Sequence, residues 1–163
     1  MKTIETKVYT FDELSDEAKE RALNWMLTVS YDDDYHVTDL CEDAKNIGLN
    51  IIQLDDYKSN KGAFITSALS CANSIVAEHG DTCETYKTAK NFLKEVAAIE
   101  YPEDSEDSED LREAQDNEFL HTLLEDYRIM LNKENEYRSS REYLTDNILA
   151  NEYTFTEDGK RFG

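Results

Sequence analysis

The side chains in this sequence best placed to bind a metal lie in Asp32-Asp33-Asp34-Tyr35-His36, where Asp32, Asp34 and His36 alternate and can face one side of an extended loop. A calcium loop begun at Asp32 then needs glycine at its sixth position and glutamate at its twelfth; these positions hold Val37 and Asp43. The segment therefore reads as a solvated acidic loop. Cys71, His79 and Cys83 are spaced C-x7-H-x3-C around Gly80, but no fourth zinc ligand accompanies them. Cys41 brings the cysteines to an odd number with no C-x-x-C pair, which predicts reduced, mostly buried thiols. His121 stands beside Leu120 and Leu124, a setting that suits a partly buried, hydrogen-bonded histidine better than a general base. The chain has no G-x-S-x-G, no phosphate-cradling or dinucleotide glycine loop and no H-E-x-x-H. The expectation is a protein that is not an enzyme, with no metal and no cofactor.

What the chain holds in quantity is carboxylate. Its 163 residues carry 37 acidic and 17 basic side chains, a formal net charge of −20. Residues 100–126 hold 12 acids and one base, whereas residues 60–99 hold four of each. The densest part, Glu103-Asp-Ser-Glu-Asp-Ser-Glu-Asp110, is a low-complexity run that reads as a solvated loop after Pro102 passing into the acidic first turn of a helix. Such a charge repels phosphate, which argues against nucleic acid and anionic membrane as direct ligands and for a basic protein partner. The chain has ten tyrosines, several of them beside acids, as in Tyr31-Asp-Asp-Asp-Tyr35, Asp55-Asp-Tyr57, Glu100-Tyr101 and Glu125-Asp-Tyr127, joining charge to flat amphipathic rings. B-DNA carries one charge per roughly 1.7 Å of axis, and carboxylates three or four residues apart on a helix lie about 5–6 Å apart. Acidic helices can therefore approximate a phosphate row and compete for a groove that normally holds nucleic acid. The candidate partner-binding residues are Asp32, Asp33, Asp34, Asp55, Asp56, Glu103, Asp104, Glu106, Asp107, Glu109 and Asp110. Two alternatives stand beside this decoy: a small ligand-binding domain or enzyme whose acidity is incidental, and an antitoxin that neutralises a basic toxin.

The elements that must position these groups follow from periodicity and capping. An extended start, Lys2 to Thr10, leads into a Thr10-Phe-Asp-Glu13 capping box and a short helical turn. Ser15 caps the next helix, on which Ala18, Ala22, Trp25, Met26 and Val29 form an apolar face. A helix from about Thr38 to Ile47 ends at Gly48; Leu49, Ile51, Ile52 and Leu54 then read as a buried strand with Gly62–Thr66 as its hairpin partner. Ala68, Leu69, Ala72, Ile75 and Val76 mark a helix stopping at Gly80. Asp81-Thr-Cys-Glu84 signals the start of another, carrying Tyr86, Ala89, Phe92, Leu93 and Val96. Leu120, Leu123, Leu124, Tyr127, Met130 and Leu131 give a dense stripe, Ser139-Ser-Arg-Glu142 caps a last helix, and Tyr153 and Phe155 close with a strand before the turn Glu157–Lys160. The prediction is a single acidic α+β domain over residues 1–163, with the low-complexity acidic segment at 102–110 and a small sheet of about four strands packed with five or six helices. Trp25, Leu54, Leu93, Leu124 and Phe155 are expected to share its core. No apolar run approaches the roughly 18 residues of a spanning helix, and the N-terminus lacks a secretory apolar region, so a cytoplasmic protein is expected, with self-association open.

The opening Val8-Tyr-Thr-Phe-Asp-Glu-Leu-Ser-Asp-Glu-Ala-Lys-Glu-Arg-Ala22, the Gly62-Ala-Phe64 segment and the ending Asn151-Glu-Tyr-Thr-Phe-Thr-Glu-Asp-Gly-Lys160 together resemble a group of small, largely uncharacterised bacteriophage and prophage proteins. In that group the middle motif is a longer Gly-Asp-Gly-Ala-Ser-Phe, where this chain has Ser59-Asn-Lys-Gly-Ala-Phe64. The resemblance implies a phage-type origin and a bacterial host cytoplasm, and it carries over no catalytic residue. In that setting very acidic small proteins look like anti-restriction and anti-CRISPR inhibitors that imitate DNA. The basic partner is then a nucleic-acid-binding defence protein.

Overall fold

Around Thr10 the fold is fixed by neighbours in sequence. In the computed structural model, which describes residues 5–31, 35–55, 59–99 and 106–163, the Thr10 backbone N–H and hydroxyl both donate to the Glu13 carboxylate, at 2.8 and 2.9 Å. This closes a 3-10 turn over Phe11–Glu13, as the capping box predicts. The Ser15 hydroxyl then accepts the Ala18 N–H at 3.3 Å and opens α1, Asp16–Tyr31. The other elements are β1 (Tyr9–Thr10), α2 (Tyr35–Asn46), β2 (Leu49–Gln53), β3 (Lys61–Phe64), α3 (Ala68–Glu78), α4 (Glu84–Ala98), α5 (Glu106–Arg138), α6 (Arg141–Ala150), β4 (Thr154–Phe155) and β5 (Arg161–Phe162). The class is mixed helix and sheet. Among the described residues the strands make two small antiparallel sheets, β1-β4-β5 and β2-β3, in place of the expected single four-stranded one.

The chain divides into two compact units, Met1–Asp34 with Lys133–Gly163, and Tyr35–Asn132. In the first, Tyr9 pairs with Phe155 and Thr154 with Phe162, tying the start of the chain to its end. Its core joins Phe11, Leu14, Ala18, Ala22, Leu23 and Met26 to Leu144, Ile148 and Phe155. Trp25 is half-buried and meets the Tyr153 ring edge-on at 5.2 Å, while Val29, expected on the apolar face, is exposed. Gly159 makes the β4–β5 turn at φ +80°, and a Cβ there would lie 2.1 Å from the Ala18 carbonyl oxygen, so only glycine fits.

In the second unit, Leu49 and Ile51 point inward from β2 while Asn50 and Ile52 point out. Ile52 is 69% exposed, so β2 is a one-sided strand and not the fully buried one its apolar run suggested. A Cβ at Gly62 would come 2.8 Å from the Asn50 carbonyl oxygen and 3.0 Å from Leu124 Cδ2, which shows how closely α5 packs on this hairpin. The core collects Ala44, Ile47, Leu49, Cys71, Ile75, Ala89, Phe92, Phe119, Leu123, Leu124 and Tyr127. Phe119 stacks on Phe92 at 4.2 Å and on Phe64 at 5.6 Å. Leu54 and Leu93 are partly buried against this core, whereas Trp25 and Phe155 belong to the other; the five residues predicted to share one core are split between two. Among the described residues, no helix is long and apolar enough to cross a membrane.

Candidate partner-binding surface

The acidic run enters the described structure as the beginning of a helix. Glu106, Asp107, Glu109 and Asp110 open α5, all four exposed, with Glu106, Asp107 and Glu109 in its first turn. There the unpaired backbone N–H groups and the helix dipole favour negative charge. None of the four has an ion-pair partner among the described residues. The spacing sets Glu106 below Asp110 and Glu109 below the exposed Glu113, one helical turn apart, about 5–6 Å. Five carboxylates and Arg112 between residues 106 and 113 thus leave four net negative charges over about 11 Å of helix axis, roughly one per 2.6 Å, against roughly one per 1.7 Å in a duplex.

The remaining candidates fall elsewhere. Asp32, Asp33, Asp34, Asp56, Glu103 and Asp104 lie outside the described residues, as do Tyr57 and Tyr101. Asp55 follows β2, half-buried, and its backbone N–H donates to the Asn60 side-chain oxygen at 2.8 Å, so it belongs to the hairpin connection and not to the α5 row. Tyr127 departs most from the tyrosine-and-carboxylate expectation. It is fully buried, and it is a donor to a carboxylate instead of a surface plate beside one.

That donor leads to a polar network which sequence reasoning missed. The Tyr127 hydroxyl on α5 donates to Asp43 Oδ2 on α2 at 2.7 Å. The same oxygen lies 3.6 Å from Nε2 of His79, the residue that caps the end of α3; this is electrostatic proximity, too long for a hydrogen bond. His79 Nδ1 is 2.7 Å from the hydroxyl of Thr85, on the first turn of α4. Nε2 itself is buried and has no hydrogen-bond partner among the described residues. Burial pushes the Tyr127 phenol far above its ordinary range, and the Asp43 hydrogen bond and charge add to the shift. The Cys71 thiol is pushed up to about 12 by burial. On the neighbouring turn, the Thr88 hydroxyl donates to Asp126 at 2.7 Å. Burial nevertheless raises Asp126 above the usual carboxylate range, with Glu84 and Glu125 adding to the rise.

Asp43, His79 and Thr85 are the residue types that activate a hydroxyl nucleophile. Thr85 is fully buried, so no substrate reaches its oxygen. Chemically, the arrangement orients a carboxylate. No sequence signal points to it, because the pairing of Asp43 with a tyrosine 84 residues away has no local signature. His121 is exposed, against the partly buried reading, and Cys83 is exposed as well, whereas Cys71 is buried and Cys41 intermediate. Among the described residues, no group of three or more His, Cys, Asp or Glu side chains is arranged to hold a metal ion.

No protein-family model, no curated protein and no solved structure matches this chain.

Proposed function

We propose that this chain is a phage-type inhibitor of a bacterial defence nuclease, of the CRISPR or restriction class, acting in the host cytoplasm as an acidic nucleic-acid mimic that occupies the nuclease's basic groove. The observation that carries this reading is the exposed row Glu106, Asp107, Glu109, Asp110 and Glu113 at the start of α5, none of them in an ion pair among the described residues, in a chain of net charge −20. A basic groove attracts such a row by the same long-range field that steers it to phosphate, so association is fast and weakens with salt. The partner-binding set extends to Asp32, Asp33, Asp34, Asp55, Asp56, Glu103 and Asp104. The role requires no catalytic residue, metal or cofactor of this chain.

The test is displacement. The purified protein is titrated into complexes of fluorescent duplex with a panel of restriction endonucleases and CRISPR effector nucleases, at low and at moderate salt. Release of duplex from at least one member, with an inhibition constant that rises steeply with salt, is the expected result. Failure to release duplex from any member at low salt overturns the reading.

A further inference from the structure

Asp43 differs from the carboxylates of the α5 row in being held. Oδ2 accepts the Tyr127 hydroxyl at 2.7 Å and faces the buried His79 Nε2 at 3.6 Å, while the side chain as a whole remains 48% exposed. Oδ1 has no partner among the described residues. The supports are themselves fixed, since Tyr127 and Thr85 are fully buried and the Thr85 hydroxyl orients the His79 ring. With the ring fixed by the 2.7 Å contact between Nδ1 and the Thr85 hydroxyl, the buried Nε2 faces Asp43 and has no hydrogen bond of its own among the described residues. The result is a carboxylate locked on its inner edge and open on its outer one, supported from α3, α4 and α5 as well as from its own helix α2.

From this geometry we infer that Asp43 is a preorganised anchor for a cationic side chain of the partner, a guanidinium or ammonium donating to Oδ1. The inference rests on the decoy reading for the identity of the partner, but the site itself is defined by this chain. A mobile surface carboxylate must lose side-chain freedom when it pairs, whereas Asp43 has already lost it in folding, so its contact is stronger for the same charge. The α5 row and Asp43 then have separable roles: the row sets the rate of approach and its salt dependence, and Asp43 sets how long the complex lasts. Tyr127 acts through Asp43 and is a positioning residue.

The experiment uses the full chain with N-acetyl-arginine methylamide as the probe, followed by carboxyl 13C chemical shifts. Asp43 is expected to give the largest, saturable shift, while Glu106, Asp107, Glu109 and Asp110 shift weakly and without saturation. Tyr127→Phe, which keeps the charge and removes the hydroxyl, should weaken the Asp43 site about two- to tenfold and leave the α5 responses unchanged. Asp43→Asn should abolish the saturable response. Uniform, unsaturable shifts at all carboxylates, or an Asp43 site of unchanged affinity in Tyr127→Phe, would overturn the inference. The two readings fail separately. Duplex displacement that survives both variants with unchanged dissociation rate removes the anchor and leaves the decoy; a saturable Asp43 site in a protein that displaces no duplex removes the decoy and leaves the anchor.

Discussion

Residues 106–118 and 119–131 belong to one uninterrupted helix, α5, yet they meet their surroundings in opposite ways. Over the first stretch almost every side chain is exposed, Ser108 being the buried exception, and five acids crowd into residues 106–113. Over the second, Phe119, Leu123, Leu124, Tyr127 and Leu131 are buried at a spacing of three and four residues, and beside them Glu125 pairs with Arg128. The same backbone hydrogen bonding therefore supports two kinds of helix. One is held by tertiary packing of an apolar stripe; the other is propagated from it, aided at its open end by the dipole. Charge near the start is thus free to serve a surface role, whereas a change to the apolar stripe of the second half is a change to the core.

The sharpest way to test that division is to cut at its boundary. Phe119 is the first large apolar residue of the packed half, enclosed by the rings of Phe92 and Phe64. Phe119→Ala removes both ring contacts and leaves a cavity, at an expected cost of about 3–5 kcal/mol. Urea denaturation followed by far-UV circular dichroism measures it. A loss below about 1 kcal/mol would move the boundary towards Leu123 and make Phe119 part of the surface half.

The packed half was legible in the sequence because its signal is periodic: Leu123, Leu124, Tyr127 and Leu131 recur as a core-facing stripe must, and Gly48 marked the end of α2. Legibility failed where two neighbours offer the same chemistry. Ser139 and Ser140 can each cap α6, and the cap is Ser140, whose hydroxyl accepts the Tyr143 N–H at 3.2 Å; the Ser139 hydroxyl instead donates back to the Asn135 carbonyl. Likewise α4 starts from Cys83 and not from Asp81, so its D-x-x-E signal is not used. β5 has only two residues, too few to alternate, and went unseen. Of the candidate surface, composition located the Glu106–Asp110 charges, but a run of like charges fits a loop as well as a first helical turn. Asp43 could not be found locally, because what distinguishes it is supplied by residues on three other elements.

Asp126 sharpens the comparison from inside the packed half, as a charge where the core wants none. Burial raises its carboxyl above the unfolded value despite the Thr88 hydroxyl, so between the unfolded and folded values the native state binds more protons than the unfolded chain. Stability contributed by this group is present at low pH and falls as pH rises through that window. Asp126→Asn keeps an oxygen to accept from Thr88 and removes the charge facing Glu84 and Glu125. It should raise the thermal midpoint at pH 7, with the gain shrinking towards pH 3, as read by differential scanning calorimetry across that range. A variant less stable than the parent at pH 7 would mean that the charged acceptor outweighs the burial cost.

The smallest effect on folding is expected where the charge is greatest. Replacing Glu106, Asp107, Glu109 and Asp110 together by Gln and Asn removes two opposed contributions. Each carboxylate in a helix's first turn gains about 0.3–1 kcal/mol from the dipole and the free N–H groups. Each like-charged pair one turn apart, such as Glu106 with Asp110, costs about 0.2–0.5 kcal/mol. With several such pairs among the four and their neighbour Glu113, the two terms nearly cancel, and the urea midpoint should stay close to the parent's. Because the dipole term belongs to the helix start and the repulsion to the whole row, neutralising Asp110 alone should relieve repulsion with little dipole loss and raise the midpoint slightly. Neutralising Glu106 alone relieves its pairs with Glu109 and Asp110 but also loses the dipole gain, so its midpoint should lie below that of the Asp110 variant. Comparing these two single variants at low and high salt separates the terms, since both fade with screening but in opposite directions. A large loss of stability in the fourfold variant would show that the acidic half is built into the fold, and the division of α5 into a packed half and a surface half would then fail.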